Sequence, residues 1–102
     1  MKIKFKNSNI ASKNKIDLYI IGAGQLGQLI YKEIKKISKY NILGFIDTKS
    51  KKKKYEGITI YKNEKLFVKK KKLNLILAVG NIKERDKEIK KFNKNKFKFP
   101  II

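Results

Sequence analysis

The residues best suited to chemistry form a glycine-rich loop, GAGQLG, at positions 22–27. In such a loop the first glycine permits a tight turn, the second admits a ligand close to the backbone, and the third lets a helix pack against a sheet. The helix that follows would present unpaired amide groups and a partial positive charge, which suits a diphosphate. The candidate ligand contacts are Gly22, Ala23, Gly24, Gln25, Leu26 and Gly27.

Asp47 is the next candidate along the chain. It follows a second apolar run, twenty residues after Gly27, where dinucleotide-binding folds carry a ribose-binding acidic residue. Its carboxylate can accept hydrogen bonds from ribose hydroxyls or from a base edge. The same carboxylate can instead cap the turn that follows it, and the sequence leaves both roles open.

A third polar group follows the most convincing strand of the sequence. Gly80 and Asn81 come directly after that strand, so Asn81 and the neighbouring amides can face a ligand, or Asn81 can serve only as a helix cap. Arg85 lies one helical turn further and can reach a phosphate or pair with Asp86 or Glu88. We include Gly80, Asn81 and Arg85 among the candidate ligand contacts.

Residue types also exclude several kinds of site. The 102 residues contain no cysteine and no histidine. This composition rules out disulfides and thiolate metal sites and removes the commonest general base and metal ligand. We therefore expect no catalytic residue and no metal site in this chain.

Alternating strand and helix patterns surround these residues. Three helices are predicted: one that opens at the glycine loop, a short one that Asn63 could cap and that runs through Val68, and one that begins at Asn81 with Glu84 three residues later, as in a capping box. The first is expected to bury Leu26, Leu29, Ile30, Ile34 and Ile37, and the third Ile82, Ile89 and Phe92. The five predicted strands are 16–21, 42–46, 58–61, 73–79 and 96–102.

This order predicts an α/β fold, a Rossmann-like, doubly wound parallel sheet of about five strands in the order 3-2-1-4-5. Residues 15–102 would form one domain behind a flexible basic arm, 1–14. The first and fourth strands would then be neighbours with connections that leave in opposite directions. Ligands bind in the crevice beyond the carboxyl ends of such strands, where the glycine loop and Gly80 would meet.

The net charge of +20 comes almost entirely from lysine, since Arg85 is the single arginine. Arginine is the residue that best matches phosphates and guanine edges, and AT-rich coding sequence favours lysine at tolerant surface positions. We therefore expect no specific nucleic-acid partner. The first fifteen residues hold no continuous apolar stretch, so no membrane association and a cytoplasmic location are expected.

The segments IIGAGQLGQLIYKEI, NILGFIDTKS, LILAVGNIKERDKEI and KFKFPII together resemble the N-terminal domain of bacterial sugar acetyltransferases of the PglD and sialic acid O-acetyltransferase type. The resemblance covers 16–102 and implies a Rossmann-like domain that binds a nucleotide-linked, UDP-type sugar. It implies ligand contacts at Gly22, Gly24, Gly27, Asp47, Gly80 and Asn81. In that family a left-handed β-helix supplies the trimer, the acetyl-CoA site and a catalytic histidine.

The sequence departs from the family pattern at three places. Thr48 stands where a second acidic residue often follows the aspartate, and 58–61 replace a proline-valine-leucine-glycine sequence. The chain also ends at Ile102 without a histidine, so acetyl-CoA is expected only with a β-helix domain or a separate β-helix subunit. The alternative function is an NAD(P)-binding Rossmann domain of an oxidoreductase or sensor, with Asp47 on the adenosine ribose.

Overall fold

The computed structural model describes residues 15–98, and the predicted arm 1–14 and the predicted strand residues 99–102 lie outside this range. Strands and helices alternate along most of the described chain, as predicted for an α/β fold. The elements are β1 (Ile16–Ile21), α1 (Gln25–Ile34), β2 (Tyr40–Ile46), β3 (Lys54–Tyr55), β4 (Ile58–Tyr61), α2 (Lys65–Val68), β5 (Asn74–Leu77), α3 (Ile82–Lys91) and β6 (Lys96–Lys98).

The strands of the described range form one sheet in the order β3-β4-β2-β1-β5-β6. All neighbouring pairs are parallel except β3 and β4, which are antiparallel. The sheet is therefore mixed and its order is not quite the predicted 3-2-1-4-5, because β3 is added at one edge. Glu56 and Gly57 have φ values of 53° and 79°, and two successive positive φ values make the tight turn that allows this short hairpin.

Both faces of the sheet are covered, as the Rossmann-like prediction requires. On one face α1 contributes Ile30, Tyr31 and Ile34 to a core with Leu18 and Ile20 and other strand residues. On the other face Phe67 of α2 and Phe92, which directly follows α3, pack against strand residues. Crossovers that leave β1 and β5 toward opposite faces create a crevice at the carboxyl ends of these neighbouring strands.

The three central strands end level with one another. Ile21 at the end of β1 is paired with Ile46 on β2 and with Leu77 on β5. The residues that follow these strands, Gly22, Asp47 and Ala78, therefore lie close together at the carboxyl end of the sheet. This register brings the glycine loop beside Asp47, which is 25 residues away from Gly22 in the sequence.

Helix α3 packs differently from the prediction. Ile82 and Ile89 were expected to be buried but are 75% and 43% exposed, whereas Phe92 is buried as predicted. The half-buried residues of the helix are Arg85, Glu88 and Lys91. Arg85 bonds to the Val79 carbonyl just after β5, Lys91 bonds to Glu64 before α2, and Glu88 pairs with Lys91. Those polar contacts turn the charged side of α3 toward the body of the domain.

Smaller differences occur at element ends. The predicted helical position Leu29 is 48% exposed, and α2 begins after Glu64 without a side-chain cap, although Asn63 was the predicted cap. Strand β5 is shorter than predicted, and β2 begins two residues earlier. Within residues 15–98 no helix is both long and apolar enough to cross a membrane.

Candidate functional site

A cleft of about 230 Å³ lies at the carboxyl ends of β1, β2 and β5. Its floor is formed by strand ends and its walls by the glycine loop, the segment after β2, and the first turns of α3. Ligands of α/β folds bind in this position. The lining residues are Ile21, Gly22, Gly24, Ile46, Asp47, Thr48, Lys49, Glu64, Ala78, Val79, Glu84 and Glu88.

Two glycines of the loop are required by the fold. Gly22 has a φ of +107°, its amide donates to the Ile46 carbonyl at 2.9 Å, and a Cβ atom there would lie 2.5 Å from the Ala78 carbonyl oxygen. A Cβ atom on Gly27 would collide with the carbonyl oxygen of Gly22. A side chain at either position would therefore push α1 or the loop away from the sheet.

Gly24 has a different environment. Its φ is −81°, and a Cβ atom built on it would meet no atom within 4 Å. It is the N-cap residue of α1, and within the described chain no side chain caps this helix and no acidic residue lies in its first turn. The amides at the start of α1 are thus accessible to an anionic ligand over the open face of Gly24.

The other loop residues predicted as ligand contacts are Ala23, Gln25 and Leu26. Ala23 is buried in the core beneath α1, and Leu26 packs partly against the same core. The amide of Ala23 donates to Asp47 and its carbonyl accepts from the Gln28 side chain, and neither Ala23 nor Leu26 lines the cleft. Gln25 is exposed at the first position of the helix. The backbone of the loop, more than its side chains, can therefore contact a ligand.

Asp47 performs the capping role that the sequence left open, and it also braces the loop. One carboxylate oxygen accepts a hydrogen bond from the Lys49 amide at 2.9 Å, and the other accepts one from the Ala23 amide at 2.8 Å. Each carboxylate oxygen can accept a second hydrogen bond. Asp47 can therefore hold the loop in place and still accept a donor from a ligand in the cleft.

The third group of predicted ligand contacts, Gly80, Asn81 and Arg85, lies beside the cleft. The Asn81 side-chain oxygen accepts from the Glu84 amide at 3.1 Å, which confirms the predicted N-cap. The Arg85 guanidinium donates to the Val79 carbonyl at 3.2 Å, while Glu88, one of its predicted partners, pairs with Lys91. Gly80, Asn81 and Arg85 are not among the residues that line the cleft, although Gly80 directly follows the lining residue Val79. The hydrogen bonds of Asn81 and Arg85 fix the first turns of α3 beside the cleft.

Sequence reasoning missed the acidic wall of the cleft. Glu64, Glu84 and Glu88 join Asp47 among the lining residues, so four of the eight acidic residues of the chain line one cleft. The scarcity of acidic residues in so basic a sequence was the available signal. Their convergence was not visible because Glu64 and Glu88 come from separate elements, before α2 and within α3.

Two lysines form ion pairs with the glutamates that line the cleft. Lys91 pairs with Glu64 at 2.9 Å and with Glu88 at 3.4 Å, and Lys49 lies 3.5 Å from Glu84. Burial alone would lower the pKa of Lys91, but the hydrogen bond to Glu64 and the charges of Glu88 and Glu64 outweigh it and raise the pKa. Lys91 therefore stays charged and ties α3 to the start of α2.

Comparison with known proteins gives a family and a fold. The sequence model of the family described as "PglD N-terminal domain" matches residues 17–92, and no curated protein matches the chain. A solved structure described as "Crystal structure of RSP, a Rex-family repressor" aligns with 99% of this chain at 21% identity and a TM-score of 0.55. The chain spans 54% of that protein's length, and the likeness supports the Rossmann-like fold alone.

Proposed function

This chain belongs to the PglD N-terminal domain family, and we propose that its cleft binds a nucleotide-linked sugar of the UDP type for a sugar acetyltransferase. The observation that carries the proposal is the open face of Gly24 at the uncapped start of α1, directly on the cleft. A diphosphate fits this position because the helix amides and dipole attract anions.

The rest of the cleft suits the neutral parts of such a ligand. Asp47 and Glu64 line the cleft, and their carboxylates are hydrogen-bond acceptors, while ribose, uracil and hexose all carry hydroxyl or N–H donors. The apolar side chains of Ile21, Ile46 and Val79 supply a surface for a planar base. An acceptor wall beside an amide-lined anion site is the chemistry that a nucleotide-linked sugar requires.

The size of the cleft favours one nucleotide over two. Its volume of about 230 Å³ is below the roughly 300–1,000 Å³ of pockets that enclose a whole drug-sized ligand. One nucleoside diphosphate end would occupy the cleft, and the sugar would extend toward its mouth. In the proposed enzyme a β-helix domain or subunit would supply acetyl-CoA and the catalytic histidine there, in the cytoplasm.

The test compares the melting temperature of the protein with UDP, with a UDP-hexose, with NAD⁺ and with NADP⁺. We expect the uridine ligands to raise the melting temperature, because a ligand that binds only the folded state stabilises it in proportion to its affinity. The two dinucleotides should leave it unchanged. Greater stabilisation by NAD⁺ than by any uridine ligand would contradict the proposal and favour the NAD(P)-binding alternative.

A further inference from the structure

The charge of the cleft poses a problem for the proposed ligand. Four carboxylates line it, those of Asp47, Glu64, Glu84 and Glu88, and each repels a diphosphate. The start of α1 offers the equivalent of about half a positive charge. Among the described residues that line the cleft, Lys49 is the one with a cationic side chain.

Lys49 is anchored at its backbone, and its side chain makes an exposed ion pair. Its amide donates to Asp47, which fixes the start of the side chain beside the glycine loop. The side chain itself is 84% exposed, and its ammonium group lies 3.5 Å from Glu84, which is 48% exposed. Both residues line the cleft. Lys49 follows β2 while Glu84 lies in the first turn of α3, so this ion pair links two walls of the cleft.

The Lys49–Glu84 ion pair can be broken at little cost. Exposed ion pairs with a single contact contribute little to the stability of a protein, so separating Lys49 from Glu84 costs little. Lys91, which pairs with two of the lining glutamates, is held more firmly. Its ammonium group contacts both carboxylate oxygens of Glu64 and one of Glu88, and these contacts hold α3 in place.

We infer that Lys49 leaves Glu84 and pairs with the diphosphate when the ligand binds, so that this ion pair acts as a ligand-opened strap across the cleft. The inference rests on the proposed function, which it deepens by naming the cation for the phosphates. Glu84 then acts as a competitor: it holds Lys49 in the empty cleft and repels the anionic ligand. Removing Lys49 should weaken diphosphate binding, and removing the charge of Glu84 should strengthen it.

The experiment measures the affinities of UDP and of uridine by NMR titration at low ionic strength for the unmodified protein, Lys49→Ala, Glu84→Gln and Lys53→Ala. Lys53 is the matched control because it is an exposed lysine of the same connection and does not line the cleft. We expect Lys49→Ala to weaken UDP binding about tenfold, as for one charge-assisted hydrogen bond. Uridine affinity should not change, and Lys53→Ala should match the unmodified protein.

Glu84→Gln should bind UDP several-fold more tightly, a gain that a merely structural role for the ion pair would not produce. Melting temperatures of all variants should stay close to that of the unmodified protein, because the substituted side chains are at least half-exposed or make weak contacts. Equal UDP affinities of Lys49→Ala and Lys53→Ala would overturn this inference alone. Failure of the unmodified protein to bind UDP would overturn the proposed function together with it.

Discussion

Two glycines of the loop are required for packing of the fold, and the third leaves space for a ligand in the cleft. Gly22 and Gly27 lie where a Cβ atom would collide with backbone carbonyl oxygens, and Gly22 also has a positive φ. Gly24 has neither constraint, and it faces the cleft. Substitutions within this one motif should therefore have different consequences: loss of stability at Gly22 and Gly27, and loss of ligand binding at Gly24.

Replacing Gly24 with valine should abolish binding of a UDP-hexose while the domain remains folded. The added side chain would occupy the space where phosphates approach the α1 amides, while its Cβ atom would meet no atom of the protein within 4 Å. Loss of glycine at an N-cap position should cost about 1 kcal/mol or less. Isothermal titration would measure the binding and urea unfolding the stability.

Gly22→Ala provides the contrast for this prediction. Its positive φ and the close Ala78 carbonyl should make this variant clearly less stable than Gly24→Val, although the added side chain is smaller. If Gly24→Val bound the UDP-hexose as well as the unmodified protein, the loop would be a turn without a role in binding.

At the scale of elements, the N-cap of α3 can be tested separately from any contact between Asn81 and a ligand. Asn81→Ala removes the acceptor for the Glu84 amide and should lower the free energy of unfolding by about 1 kcal/mol. Asn81→Ser keeps an acceptor at the cap and should restore most of that stability. Urea unfolding of the three proteins checks both values.

The same pair of variants separates the two roles that the sequence left open for Asn81. If the residue acts only as a cap, Asn81→Ser should bind the UDP-hexose like the unmodified protein. An Asn81→Ala variant as stable as the unmodified protein would contradict the capping role.

Elements with a strong local pattern were predictable from the sequence. The apolar run of β1 and the spacing of Ile30 and Ile34 in α1 agree with the structure, because burial on a sheet or helix face imposes these patterns. The glycine loop and Gly80 were expected at one crevice because the carboxyl ends of parallel strands meet at the same end of the sheet, and the register of β1 and β2 places Asp47 beside the loop as well.

Other features depend on contacts that no local pattern reveals. Strand β3 has two residues and depends on the positive φ values of Glu56 and Gly57. The apolar residues of α3 face outward because Arg85 and Lys91 bond to other parts of the domain. The acidic wall of the cleft forms only when α2 and α3 come together, so its residues could not be assigned from spacing.

At the scale of the whole molecule, the cleft and the overall charge have opposite signs. The chain carries a net charge of +20, yet half of its eight acidic residues line one cleft. Long-range attraction to a basic surface raises the local concentration of an anionic ligand, and salt screens this attraction. In the proposed complex, discrimination within the cleft would depend on short-range contacts, between the phosphates and α1 and between the hydroxyl groups and the carboxylates.

The most direct test of this account is a backbone amide NMR titration of the protein with a UDP-hexose. We predict that the largest chemical shift changes occur at Gly24 and Gln25, with further changes at Asp47 and Val79, since Gly24, Asp47 and Val79 line the cleft and Gln25 directly follows Gly24 as the first residue of α1. The exposed lysines of 69–72 lie before β5, at the other end of that strand, and should be unaffected. Shifts confined to such lysine-rich segments, or no shifts at the start of α1, would contradict binding of a nucleotide-linked sugar at the glycine loop.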